Sequence, residues 1–356
     1  MSTSAIDRTQ MSVDEIYEDM KAHLSDIVPD PELRIKAELA YEINQLKVER
    51  NAVILGHNYM EAALYHSIPD FKGDSLQLSR LAAEVDADVI VFCGVEFMAE
   101  TAKILNPEKT VLIPSNKAGC SLAESITAED VRELKRRFPG VPVVTYVNTY
   151  ADVKAESDVC CTSGNARAVM ESFDSDTIIF LPDQYLASNI AAETGKRIII
   201  PAVLPGGDFR YESGGDYDVI GWHGRCEVHE QFTVEDVANV RAQFPDVTVL
   251  SHPECSPEVV AVSDYSGSTS GMIRFVQESD AARYLVLTEC AMGDNIAAEN
   301  PDKEMLRLCM VRCPHMNQIT LEDTRDALKY MRYQVEVPED IRVRALGAVE
   351  RMLAIG

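Results

Sequence analysis

Apolar residues in this chain gather in short runs that end abruptly on polar ones. AVILGHNY (52–59), VPVVTYVNT (141–149) and VTVLSHPE (247–254) each read as a buried strand of a parallel sheet, whose carboxyl end delivers side chains to a crevice. Those ends present His57 and Tyr59, Tyr146 and Asn148, then His252 and Glu254. After each comes a small-residue turn that opens a helix and leads to a second apolar run. The three versions are GDSLQLSRLAAEVDADVIVFCGV from Gly73, TSGNARAVMESFDSDTIIFLPD from Thr162, and GSTSGMIRFVQESDAARYLVLTE from Gly267. Helical spacing followed by strand-like triplets predicts three successive βαβ units.

Each unit ends near a cysteine. Cys120 lies 45 residues after Ser75 and Cys313 lies 44 after Thr269, whereas Cys226 lies 63 after Ser163. The middle unit therefore carries about 18 extra residues, visible as PAVLPGGDFRYESGGDYD (201–218). Its glycine and proline density predicts a surface loop. Three similar α/β units would most simply pack around a pseudo-threefold axis, with equivalent positions at the centre and one cysteine per unit converging there.

Composition narrows the chemistry. The 356 residues are 46% hydrophobic and 26% charged, with no apolar stretch near the roughly 20 residues of a membrane span, so the chain reads as soluble and globular. Its start lacks a basic region followed by an apolar one, which predicts a cytoplasmic location. A net charge of −25 repels a phosphate backbone and argues against nucleic-acid binding. Nine cysteines in such a chain are too scattered for a disulfide scaffold and point to metal or catalysis.

Three thiolates far apart in sequence, with no CxxC pair, suit an iron-sulfur cluster better than structural zinc. One iron is then left without a protein ligand and can act as a Lewis acid. Cys93, Cys160, Cys161, Cys255 and Cys290 have no repeat partner and read as buried core thiols. In CMVRC, Cys313 is the expected ligand because Pro314 breaks the helix after it, while Cys309 is open to three readings: spare ligand, redox partner or buried thiol. Ser75, Ser163, Ser268 and Thr269 suit helix N-caps, and free amides at such starts also bind carboxylate or phosphate, which implies a polyanionic substrate. His57 and His252, with Glu254, offer acid-base capacity.

These residues together resemble the A-type quinolinate synthase family. The resemblance runs from about Arg50 to the C-terminus through GHNY (56–59), GDS (73–75), GVEFMAETAKIL (94–105), CSL (120–122), YVNT (146–149), TSGNA (162–166), GRCEVHE (224–230), HPE (252–254), GST (267–269) and CP-M (313–316). It implies an α/β fold of three αβα, Rossmann-like units with parallel sheets around a pseudo-threefold axis. The expected boundaries are an N-terminal helical segment 1–48, a first unit 49–125 with 314–356 packing near it, a second unit 126–230 carrying the 201–218 insertion, and a third unit 231–313. It further implies a 4Fe-4S cluster on Cys120, Cys226 and Cys313, and condensation of iminoaspartate with dihydroxyacetone phosphate to quinolinate, phosphate and water. By the same resemblance, Glu254 is the base, assisted by Tyr59 and His252. His57, Ser75, Ser163 and Thr269 hold anionic groups, and Tyr146, Val147, Asn148 and Pro253 line the substrate cavity. His229 is either a substrate contact or a supporting group. A functional link to an aspartate-oxidising enzyme is implied as the source of the imine.

Two other functions share part of the pattern. An aconitase-like hydro-lyase also uses three cysteines and an open iron, and would act on a hydroxy acid without a triose phosphate. A cluster-based redox or oxygen sensor would need a partner- or DNA-binding module, and no basic helix-turn-helix is evident.

Overall fold

A computed structural model describes residues 8–203, 209–211, 216–306, 308 and 311–355. After helices α1 (Val13–Leu24) and α2 (Asp30–Arg50), the chain runs β1 (Ala52–His57), α3 (Ala62–Tyr65), β2 (Phe71–Gly73), α4 (Ser75–Glu84), β3 (Val89–Cys93), α5 (Glu96–Leu105), β4 (Thr110–Leu112) and α6 (Ser121–Glu124). Helix α7 (Ala128–Arg137) leads into β5 (Val143–Tyr146), α8 (Ala151–Ala155), β6 (Val159–Cys161), α9 (Ala166–Glu171), β7 (Ile178–Leu181), α10 (Gln184–Glu193), β8 (Ile198–Ile199), β9 (Ala202–Val203), β10 (Phe209–Arg210) and β11 (Val219–Ile220). Helix α11 (Val234–Gln243) opens the third series: β12 (Thr248–Ser251), α12 (Pro257–Ala261), β13 (Tyr265–Ser266), α13 (Thr269–Glu278), β14 (Arg283–Leu287), α14 (Cys290–Glu299) and β15 (Glu304–Leu306), then α15 (Leu321–Tyr330) and α16 (Glu339–Ala354).

All strands but β9 and β10, which pair antiparallel with each other, form three parallel sheets flanked by helices, an α/β architecture of three αβα units. Their orders are β2-β1-β3-β4, β6-β5-β7-β11-β8 and β13-β12-β14-β15. One pattern is thus drawn three times, the middle sheet having β8 added at its edge. One carboxylate stitches each first pair of strands: Asp70, Asp158 and Asp264 accept from the backbone N–H of Ile54, Val143 and Val249, all at 2.8 Å. These aspartates immediately precede β2, β6 and β13, short strands that the hydrophobic pattern did not reveal. By contacts the chain forms two compact units, one of Met1–Gly119, Asp246–Thr248 and Thr269–Glu336, the other of Cys120–Pro245, Val249–Ser268 and Val337–Gly356. The segment 314–356 divides accordingly. Helix α15 packs on α2 and β3, whereas α16 packs on α8 and β6, where Asn165 Nδ2 donates to the carbonyls of Met352 and Ile355.

The insertion at 201–218 is not simply a surface loop. Residues 204–208 and 212–215 lie outside the described ones. Phe209 on β10 joins the core of Val143, Ile179, Leu181, Ile220 and Trp222, with its ring 4.7 Å from that of Trp222. Burial of such an aromatic contributes roughly 1.5–3 kcal/mol, which ties the extra segment to the core of the middle sheet. No helix among the described residues is long and apolar enough to cross a membrane.

In the first compact unit, His66 caps α3 and is only 4% exposed, its ring stacked on His23 at 5.7 Å. Burial, then the charges of Lys72, His23 and Arg8, lowers its pKa to about 2. The unfolded chain therefore takes up this proton near pH 6.5 while the folded chain does not, so stability falls as the pH drops. Between about pH 7.5 and pH 5 the unfolding free energy should decrease by about 2 kcal/mol more in the wild type than in His66→Gln. Urea titrations at the two pH values measure it, and equal decreases in both proteins would refute a neutral buried His66.

Candidate functional site

Each of the three cysteines Cys120, Cys226 and Cys313 sits in the same local turn. Two residues before it, a carbonyl accepts from the first backbone N–H of a helix: Ala118 from Glu96, Gly224 from Gln184 and Val311 from Cys290, at 2.8, 2.8 and 3.2 Å. The cysteine's own carbonyl accepts from the residue four on, namely Glu124, Glu230 and Asn317, at 3.0, 3.0 and 3.1 Å. Seven residues on stands the N-cap of the next long helix, Thr127, Thr233 or Thr320, whose hydroxyl accepts from the N–H of Asp130, Asp236 or Asp323. The segments read CSLAESITAED, CEVHEQFTVED and CPHMNQITLED. This register selects Cys313, because seven residues after Cys309 stands Met316. Cys309 itself lies outside the described residues.

The three thiols are half-buried, unlike the buried Cys93, Cys160, Cys161, Cys255 and Cys290. Burial pushes the thiols of Cys93 and Cys160 up to about 12, so both stay protonated. Cys226 is pushed up by burial and by the charges of Glu254 and Cys120, against N–H groups of His229 and Val228 that point at its sulfur. Cys313 Sγ likewise accepts from Met316 N–H at 3.5 Å. Amides aimed at sulfur favour a thiolate, and acidic neighbours call for a positive charge to hold it there. The donor set therefore fits a metal-bound thiolate. Cys226 Sγ, a His229 nitrogen and a Glu254 oxygen also lie within 4.8 Å of one another, close enough to share one metal ion.

Glu254 is the centre of a buried cluster in the second compact unit. Its Oε2 lies 2.7 Å from His229 Nδ1 and 3.7 Å from His252 Nδ1. The two imidazoles stack with centroids 4.6 Å apart, and His229 Nδ1 is also 3.2 Å from Cys226 Sγ. Asn148 Nδ2 approaches Glu254 Oε1 at 3.5 Å, and Tyr146 adds a side-chain hydrogen bond to the carboxylate. Burial raises the Glu254 pKa, but the charges of His252 and His229 and the hydrogen bonds from His229 and Tyr146 outweigh it and hold the group below its usual range. The Glu254 N–H faces His252 Nδ1 at 3.3 Å, and His252 Nε2 lies 3.2 Å from Ser163 Oγ.

Strand alternation does not pair His252 with Glu254, because β12 stops at Ser251. A tight turn does so instead, with Cys255 N–H donating to His252 O at 2.9 Å. The same turn follows β1: Tyr59 N–H donates to His57 Nδ1 at 3.2 Å and Met60 N–H to His57 O at 3.0 Å. Tyr59 OH then meets Thr288 Oγ1 at 2.5 Å, and Asn58 Nδ2 donates to Thr269 Oγ1 at 2.9 Å. Thr269 and Ser75 were both expected as caps, but each is the first residue of its helix, α13 and α4, and the cap of α4 is Asp74. Ser163 precedes α9 by three residues, and the cap there is Asn165.

The first compact unit thus groups His57, Tyr59 and Thr269, and also contains Ser75 and Cys313. The second groups Glu254, His252, Ser163, Tyr146 and Asn148 with Cys226, and contains Cys120, Val147 and Pro253. Two contributors escaped the sequence reading. Thr288 ends the apolar run of β14, the signal used for the other strand ends. Asp183, fully buried, caps α10, and burial followed by the charge of Glu254 raises its pKa well above the usual.

Comparison with known proteins completes the description. Residues 41–354 match the family described as "NadA: Quinolinate synthetase A protein". The chain is 53% identical over 313 residues to "Quinolinate synthase 2" of Mesorhizobium japonicum, covering 88% of this chain and 90% of that one. It is 50% identical over 340 residues to "Quinolinate synthase" of Sinorhizobium medicae, covering 96% and 88%. With "Quinolinate synthase" of Xylella fastidiosa it shares 51% identity over 323 residues, covering 90% and 89%.

Proposed function

Given that the chain belongs to the NadA family of quinolinate synthases, we propose that it condenses iminoaspartate with dihydroxyacetone phosphate to quinolinate, phosphate and water in NAD biosynthesis. The observation carrying this reading is the cysteine turn built three times over, which supports Cys120, Cys226 and Cys313 as ligands of a 4Fe-4S cluster. With three thiolates, such a cluster keeps one open iron that supplies a Lewis acid for loss of hydroxyl groups.

The chain's own side chains bind the substrates and move protons. Glu254 is ionised and is the candidate base. A carboxylate held this low is a weak base alone, so Glu254 and the hydrogen-bonded His229 act as one acid-base unit. His252 Nε2 orients the Ser163 hydroxyl toward an anionic group. His57 and the first turns of the ten-residue helices bearing Ser75 and Thr269 offer N–H groups to carboxylate and phosphate. Tyr59 and Tyr146 assist proton transfer, while Val147, Asn148 and Pro253 shape the wall beside them. Small metabolites are the partners, the imine coming from an aspartate-oxidising enzyme, and the cytoplasm is the site of action.

Anaerobic reconstitution with iron and sulfide, followed by metal and sulfide analysis and an assay on chemically generated iminoaspartate with dihydroxyacetone phosphate, tests the reading. About four irons and four sulfides per chain are expected, with quinolinate as product. One metal without sulfide would favour a single ion on Cys226, His229 and Glu254. Turnover of a hydroxy acid without quinolinate formation would favour a hydro-lyase.

A further inference from the structure

Two strand-end turns share a geometry, and each is gripped by one buried asparagine. Asn189 on α10 spends both amide hydrogens on the carbonyls of Pro253 and Cys255, at 2.8 and 3.0 Å. Asn295 on α14 does the same to the carbonyls of Asn58 and Met60, at 3.1 and 2.8 Å. The gripped carbonyls flank Glu254 in one case and Tyr59 in the other. Only an NH2 group can serve two carbonyl oxygens, so the orientation of both amides is fixed by chemistry. Each asparagine lies six residues after its helix cap, Asp183 or Glu289, which marks them as one repeated position. Both are buried, 5% and 2% exposed, and Asn295 leaves its own Oδ1 without a partner. A residue selected for stability alone has no reason to bury an unsatisfied oxygen while tethering a turn.

We propose that Asn189 and Asn295 are positioning residues of the reaction, each acting through the side chain whose flanking carbonyls it holds: Asn189 through Glu254, Asn295 through Tyr59. The proposal rests on the reading that those two side chains act on substrate. A turn released from its tether lets the side chain drift, and a displacement near 1 Å costs up to about 10²-fold in rate. The mechanism predicts a loss in kcat rather than in substrate affinity.

The test uses reconstituted holoenzyme carrying Asn189→Leu or Asn295→Leu, assayed with iminoaspartate and dihydroxyacetone phosphate. Cluster absorbance should be that of the wild type, KM nearly unchanged, and kcat roughly 10- to 10²-fold lower. A double-mutant cycle gives the specific readout. Asn189→Leu should have little further effect in a Glu254→Gln background yet its full effect with Tyr59→Phe, and Asn295→Leu should show the reverse. Wild-type kcat in folded, cluster-loaded single variants, or losses that multiply in every background, would overturn the proposal. If a Leu variant fails to fold, Thr takes its place, since α5 carries Thr101 six residues after its own cap. Wild-type turnover in Glu254→Gln alone would indict the catalytic assignment instead, and the pairing of Asn295→Leu with Tyr59→Phe would then decide the clamp.

Discussion

Cys120→Ala, Cys226→Ala and Cys313→Ala proteins, purified and reconstituted without oxygen, should be colourless and form no quinolinate above background. Each ligand occupies its own copy of one turn, and no second thiol stands in the same register to replace it. The chain should still fold, because the turns are held by backbone hydrogen bonds and threonine caps that the substitution leaves in place. Cys160→Ala and Cys161→Ala should load a full cluster and lose only roughly 0.5–3 kcal/mol of stability from their buried sites. Cys309→Ala should also load fully. A complete cluster in Cys313→Ala, combined with its loss in Cys309→Ala, would transfer the ligand role to Cys309.

Glu254→Gln should assemble its cluster and bind substrates while turnover falls by roughly 10²–10⁴-fold, the range of general acid-base catalysis. Glutamine keeps the volume and can still accept from His229 Nδ1–H, but it no longer draws a proton from substrate. Quinolinate formation per cluster, measured beside the melting temperature, separates chemistry from folding. Turnover near the wild type with a lowered melting temperature would leave Glu254 a structural anion between two histidines. Accumulation of a product that has not become aromatic would place the residue in the later proton transfers.

The long apolar runs made β1, β5 and β12 legible, because a strand covered on both faces is a continuous apolar stretch. Strands of two or three residues, such as β2, β6 and β13, carry too few positions for any periodicity to register. Phe209 was hidden by its setting, since glycine and proline around it signal exposure while its ring is in the core. Alternation along a strand continued through Glu254 would place His252 and Glu254 on one side. The backbone leaves the strand one residue too early for that, and a histidine-capped turn supplies the proximity. The cysteine register was present in the letters all along as a threonine seven residues downstream. Measuring from the serine turn upstream concealed it, because the middle copy's insertion falls between the two. Electrostatic settings stayed out of reach, since the depressed Glu254 carboxyl depends on imidazoles delivered by 229 and 252.

The threefold sheet order and cysteine turn also speak to ancestry. A chain that repeats one strand order, one aspartate stitch and one capped cysteine turn has the form of a gene copied twice and fused. Copying multiplies thiols in threes, whereas a cubane of iron has four corners. An enzyme descended this way would inherit its vacant corner from arithmetic, before any selection for catalysis. The strand-end turn differs between the copies, reading His-Asn-Tyr in the first, Tyr-Val-Asn in the second and His-Pro-Glu in the third. In a chain of that descent, those nine residues are where the copies would have parted chemically.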